Sequence, residues 1–309
     1  MIMTKYSIVL FLFLSIFTAG SCQQQTDRSS APLVVLDSLL ATYTTRPVYY
    51  VRFGNHGCLF DLRINDVYTE KMTYPSRIGG TIKPINTEIL RSGTNKVSLR
   101  IYPFPGEQAI TEQKPFHLEI IYKDFALPAG KRPWHSVLQM PAITVPAEGL
   151  PYYEYEAEFE AEVPYQVSGW SDCIDLRKVP NIEQKVVAEF KRIRQLMVDH
   201  KFEEIRAMNQ FKNYDIAVPL YQSSAYEWKL WEEYIADIKE AEADEWQPIE
   251  DYELVFYADG RLVTLESKKE RGFPSALGWI KYSEDTYRYC YFDMRLGIRK
   301  GTDKFVPIR

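Results

Sequence analysis

Four cysteines, four histidines and 42 acidic residues are the side chains of this 309-residue chain able to bind metals, attack substrates or shuttle protons. Their spacing argues against most such chemistry. Cys58, Cys173 and Cys290 stand far apart with no CxxC, which excludes a compact zinc cluster. Three is an odd number, so they form one disulfide at most, or sit buried as small apolar groups. His56, His117, His135 and His200 show neither the HxH nor the HxxxH spacing of metal ligands. There is no Gly-x-Ser-x-Gly elbow and no glycine-rich phosphate loop after a strand. Cys173 follows Trp170, Ser171 and Asp172, but nothing nearby supplies a base to make it a nucleophile. That cluster reads instead as an indole and a thiol buried where two parts of the chain meet. A glycosidase needs two carboxylates facing each other across a cleft. Glu253, Asp259 and Asp293 are candidates that the sequence does not rank. It therefore names no catalytic, cofactor or metal residue.

The most regular run of charge is "YYEYEAEFEAEV". Glu154, Glu156, Glu158, Glu160 and Glu162 alternate there with Tyr153, Tyr155, Ala157, Phe159, Ala161 and Val163. On a strand these five carboxylates form one row, spaced ~7 Å apart. Calcium wants six to eight oxygens converging on a point, and a straight row does not converge. The row serves as a docking strip for a basic partner, or as a solvated strand whose charges block edge-to-edge pairing. Lys96, Arg100 or Lys123 on neighbouring strands would then face it.

The fourth cysteine, Cys22, has a different setting. Lys5 precedes an apolar block from Ile8 to Phe17, and Ala19-Gly20-Ser21 leads directly to Cys22. A basic start, a short apolar centre and small residues make an export signal. A spanning helix would need ~20 apolar residues. The run into Cys22 resembles the lipobox of bacterial lipoproteins. That resemblance implies removal of residues 1–21, acylation of Cys22 and attachment to a membrane. Ordinary cleavage near Ser21, leaving Cys22 a free thiol, is the other reading. "QQQTDRSSAP" then completes a polar stalk over 22–32.

Beyond the stalk the composition is that of a folded chain. The net charge of −5 argues against a nucleic-acid partner. The remaining length suits two domains. In the first, expected over 33–166, the period is two. Val97, Leu99 and Ile101 alternate with Lys96, Ser98 and Arg100, and Phe116, Leu118, Ile120 and Tyr122 share a face. Glycine, proline and Asn65-Asp66 punctuate the runs. This is the pattern of an all-β sandwich, jelly-roll or immunoglobulin-like. "LRINDVYTEK" followed by "GGTIKPINTEILRSGTNKVSLRIYP" resembles the jelly-roll, sugar-binding-type domain of β-galactosidase-type glycoside hydrolases. There the Asn65-Asp66 turn, a helical turn between Pro84 and Leu90, and Gly93-Thr94-Asn95 have counterparts. The resemblance implies a scaffold or a binding surface without catalytic residues.

After a connection at 167–180, broken by Gly169 and Pro180, the period changes. Asn181 is the expected N-cap of a helix running through "IEQKVVAEFKRIRQLMVDHKFEEIRAM". A second helix is expected from Ser224 to Ala243, with Trp228, Trp231, Tyr234, Ile235 and Ile238 on one side. "YELVFYADGRLVTLES" is a hairpin about Asp259-Gly260. Three further strands lead to a C-terminal segment tied into the same sheet. Residues 181–309 thus read as an α+β domain, with helices packed on an antiparallel sheet.

These features point to a membrane-anchored envelope lipoprotein that binds a protein or a glycan without catalysis, an immunity or inhibitor protein being one version. An envelope carbohydrate hydrolase with a site in the C-terminal half, and a structural lipoprotein in a larger assembly, are the alternatives.

Overall fold

A computed structural model describes residues 35–268, 275–284 and 286–309. The leader, Cys22 and most of the stalk lie outside the described residues. Among those described, strands dominate: four antiparallel sheets are joined by four α-helices. None of these helices is long and apolar enough to cross a membrane.

The first half supplies eight strands: β1 (Pro47–Asn55), β2 (Leu59–Ile64), β3 (Val67–Met72), β4 (Ile78–Pro84), β5 (Gly93–Tyr102), β6 (Phe116–Asp124), β7 (His135–Gln139) and β8 (Tyr153–Ala161). They form two sheets, ordered β4-β1-β6-β7 and β3-β2-β5-β8. Alternation drives each strand to bury one face. Val51, Phe53, Leu118 and Ile120 from the first sheet share one core with Leu62, Ile64, Leu99 and Ile101 from the second. Each of these side chains is at most 2% exposed, so each contributes ~1.5–3 kcal/mol of hydrophobic burial. The arrangement is consistent with the expected β-sandwich. Between β2 and β3 the chain reverses through Asn65 and Asp66, both left-handed at φ 52° and 56°. A type I′ two-residue hairpin turn requires positive φ at both positions, and Asn and Asp tolerate it.

The second half holds α2 (Ile182–Val198), α3 (Phe202–Ala217) and α4 (Ser224–Glu240), preceded in the chain by a short N-terminal helix, α1 (Leu36–Ala41). The strands are β9 (Tyr252–Tyr257), β10 (Leu262–Ser267), β11 (Gly278–Tyr282), β12 (Tyr287–Tyr291), β13 (Leu296–Ile298) and β14 (Phe305–Pro307). Val186, Phe190, Ile193 and Met197 of α2 pack with Val263, Leu265 and Leu296 in a second core.

Four expectations change here. The long helix is two helices. His200 takes φ 54°, its N–H donates to Met197 O at 3.1 Å, and Lys201 N–H donates to Leu196 O at 2.8 Å. That is a Schellman stop with histidine where glycine is usual. Asn181 precedes α2 but is left-handed and makes no capping bond with its side chain. The next helix ends at Glu240 rather than Ala243, because Ala241 is extended. The late strands make two sheets rather than one: β14-β13-β10-β9, and the separate pair β11-β12. The hairpin about Asp259-Gly260 forms as expected, with Tyr257 opposite Leu262, and the C-terminal segment pairs through β13 and β14.

A third apolar cluster draws on both halves: Val67 with Trp170, Cys173, Tyr257, Leu262 and Ile308. The expected indole and thiol do join the two parts. Arg309 extends the seam, donating through Nε and Nη2 to Thr87 O at 3.1 and 2.9 Å and lying 5.0 Å from the Trp170 ring centre. Asn86, fully buried, donates to Pro47 O at 2.9 Å and Pro219 O at 3.0 Å. Ahead of β1, α1 packs Leu36 and Leu40 against Tyr165, Val167, Ala217 and Val218.

Candidate functional site

The outward face of the β3-β2-β5-β8 sheet carries the polar residues that alternate with the core. Across it, Arg63 of β2, Ser98 of β5 and Glu156 of β8 are directly opposed. Ser98 is short while its neighbours on both strands are long, so the face is hollow there. The hollow opens into a groove of about 790 Å³ whose floor includes Asp61, Arg63, Lys96, Ser98, Arg100 and Glu156. The turn from Leu90 to Asn95 forms one wall, and Asp66, Asp259 and Trp170 form another.

Backbone fixes that second wall. Ala258 N–H donates to Asp66 O at 2.9 Å, and Asp259 N–H to Asp66 Oδ2 at 3.0 Å. The β9–β10 turn is thereby clamped to the β2–β3 turn. Arg177 adds a bond from Nη2 to Asp259 O at 2.8 Å. Gly260 follows at φ 79°, and Arg177 and Asp175 occupy the space a β-carbon would take, so a side chain there meets both strain and collision.

The charges on the floor are held in place. Arg63 donates to both oxygens of Asp61 at 3.1 and 2.9 Å, and to Asp66 Oδ1 at 2.9 Å. Its guanidinium lies 4.7 Å from the Tyr257 ring centre. Lys96 Nζ is 2.8 Å from Glu156, and Arg100 Nε is 2.5 Å from Glu154. Hydrogen bonds from Tyr152 and Arg100 hold the Glu154 carboxyl below its usual range, and the bond to Glu156 raises Lys96. Exposed pairs of this kind contribute little to stability, because solvent screens them. Their consequence is geometric: they fix planar carboxylate and guanidinium groups around the hollow. Arg91, exposed at the rim, has no hydrogen bond or ion pair among the described residues.

The expected row of carboxylates forms. Glu154, Glu156, Glu158 and Glu160 are exposed on β8, an edge strand, and Glu162 is exposed just beyond it. Of the three expected cationic neighbours, Lys96 and Arg100 pair with it. Lys123 does not, because β6 belongs to the other sheet, where Lys123 Nζ sits 3.8 Å from the Trp134 ring centre. Only Glu156 of the strip lines the groove.

The other candidates are scattered. Cys58 and Cys173 are buried, Cys290 is half-buried, and all three are free thiols. Burial pushes Cys58 and Cys290 up to about 12 and Cys173 to about 11, so none is a thiolate nucleophile near neutral pH. Among the possible carboxylates, Glu253 is exposed on β9 and Asp259 is on the groove wall. Asp293 lies elsewhere, 3.1 Å from Arg295. The structure does not bring the three together as an opposed pair. No group of three or more His, Cys, Asp or Glu among the described residues could hold a metal ion.

Sequence reasoning placed Lys96, Ser98 and Arg100 on one face but missed the hollow. Its signal is a serine between two long cations on a strand paired on both sides. Arg91 had no signal beyond its position next to a turn. Compared with protein-family models, with curated proteins and with solved structures, the chain matches none.

Proposed function

We propose that this chain is a lipid-anchored protein of the bacterial cell envelope that binds its ligand without transforming it, and that the ligand lies in the groove around Ser98. One observation carries the reading: the hollow is ringed by polar groups already fixed by their neighbours, Arg63 by two carboxylates and Lys96 and Arg100 by one each. A preorganised site loses little ordering entropy when it binds. The volume falls within the ~300–1,000 Å³ range of small-ligand sites.

Anchoring rests on the lipobox-like run before Cys22, and a polar stalk would let the groove face away from the bilayer. The first half then serves as a sandwich scaffold of jelly-roll or immunoglobulin-like kind, supported by two four-stranded sheets around one core. Docking of a basic protein on β8, as an immunity or inhibitor protein would use it, is the second reading. It is favoured by the exposed row in which Glu158 stands without an ion pair among the described residues.

The test is capture from native envelope by the full chain and by Ser98→Trp, whose indole fills the hollow without removing any ion pair. The wild type should retain a ligand that S98W loses. Equal capture by both would overturn the placement in the groove. Loss on Glu158→Lys instead would transfer the function to the acidic edge.

A further inference from the structure

The balance of charge in the groove narrows its ligand. Four acids line it, Asp61, Asp66, Glu156 and Asp259, and four bases, Arg63, Arg91, Lys96 and Arg100. Three of the bases are neutralised where they stand: Arg63 by Asp61 and Asp66, Lys96 by Glu156, and Arg100 by Glu154. A highly charged ligand would have to break these pairs. A neutral, hydroxyl-rich one would not, because a paired carboxylate keeps free lone pairs and a guanidinium keeps spare N–H groups. Among the uncharged lining residues, Asn65, Ser92, Thr94 and Asn95 are bonded within the protein, and the Ser98 hydroxyl on the floor is left to meet a ligand hydroxyl. An apolar protein anchor finds little to bury here, since protein interfaces concentrate apolar and aromatic contacts at their centre.

Arg91 breaks the balance. It is exposed, it lines the groove, and no carboxylate holds it among the described residues. A guanidinium with both edges free binds a carboxylate in bidentate fashion.

Resting on the groove as the binding site, we propose that the ligand is an acidic oligosaccharide. Its hydroxyls meet the paired floor around Ser98, and a single sugar carboxylate meets Arg91. Arg91 is exposed, and an exposed ion pair is screened by solvent, so the acidic sugar should bind ~2–5-fold tighter than its neutral counterpart.

The experiment is calorimetric titration of the full chain with a uronate-containing oligosaccharide and with the same oligosaccharide carboxyl-reduced, using the wild type, Arg91→Gln and S98W. Arg91 has no partner to lose, so R91Q should keep its fold, and circular dichroism checks this. The expected result is a ~2–5-fold preference for the uronate in the wild type. R91Q should erase that preference, while S98W should abolish binding of both sugars. Equal binding of the two sugars by the wild type would overturn the role of Arg91 and the acidic assignment. Binding of neither sugar, with envelope capture still lost in S98W, would overturn the carbohydrate class and keep the groove. Undiminished sugar binding by S98W would overturn the groove itself.

Discussion

Glu227 gives the sharpest test of the energetics of this fold. It sits in the first turns of α4, is 7% exposed, and its Oε1 has no hydrogen-bond partner among the described residues. A helix N-terminus favours an anion, yet burial outweighs that and raises the carboxyl from 4.5 to about 7. Below pH ~4.5 both the folded and unfolded states are protonated, and the group exerts no pH-dependent penalty. Between ~4.5 and ~7 the unfolded chain releases the proton while the folded chain keeps it, so stability falls as pH rises. Above ~7 the penalty is complete. At ~1.4 kcal/mol per pH unit, the difference between 4.5 and about 7 amounts to ~3 kcal/mol. Glu227→Gln removes the ionisation and keeps the shape. Urea unfolding should show the variant more stable than wild type by ~3 kcal/mol near pH 8 and by under ~1 kcal/mol near pH 5. An equal gain at both pH values, or a loss at pH 8, would refute the reasoning, since a loss would mean that the carboxylate is paired when charged.

Three further outcomes are expected. Trp170→Ala opens a cavity in the cluster joining the two halves, where the indole is 7% exposed; it should cost ~3–5 kcal/mol in denaturant unfolding. Cys58, Cys173 and Cys290, raised to about 12, 11 and 12, should resist a thiol reagent at pH 8 in the native protein and react once it is unfolded. Metabolic labelling with a fatty-acid analogue should mark the wild type and not Cys22→Ala, and the variant should leave the membrane fraction; label on neither would remove the anchor, and label on both would remove Cys22 as its site.

The sequence was most legible where the signal is local. Alternation identified β5 residue by residue and β6 as far as Ile120, beyond which Ile121 is buried too, because a strand with one buried face places every second side chain in the core. Asn65-Asp66 and Asp259-Gly260 marked turns because few residues tolerate left-handed backbone. Where one residue substitutes for the usual signal, the reading failed. The stop at His200 depends on backbone bonds to Met197 and Leu196, which a histidine supports without advertising it. Non-local facts were hidden altogether. Lys123 has the alternation of a cross-strand partner to β8, but only sheet order shows that β6 lies on the other side of the core. The groove is a property of register: Ser98 becomes a hollow only once Arg63 and Glu156 flank it. The contact between the turns at Asp66 and Asp259 joins residues 193 positions apart, which no local pattern encodes.

The central claim is that ligand occupies the outward face of the β3-β2-β5-β8 sheet. Amide hydrogen exchange of the full chain, with and without solubilised envelope glycan, tests it most directly. Slower exchange is expected in the backbone of residues 90–96 and at the Asp66 and Asp259 turns, with β1 and β6 unchanged. Protection confined to the other sheet, or no change at saturating glycan, would contradict it.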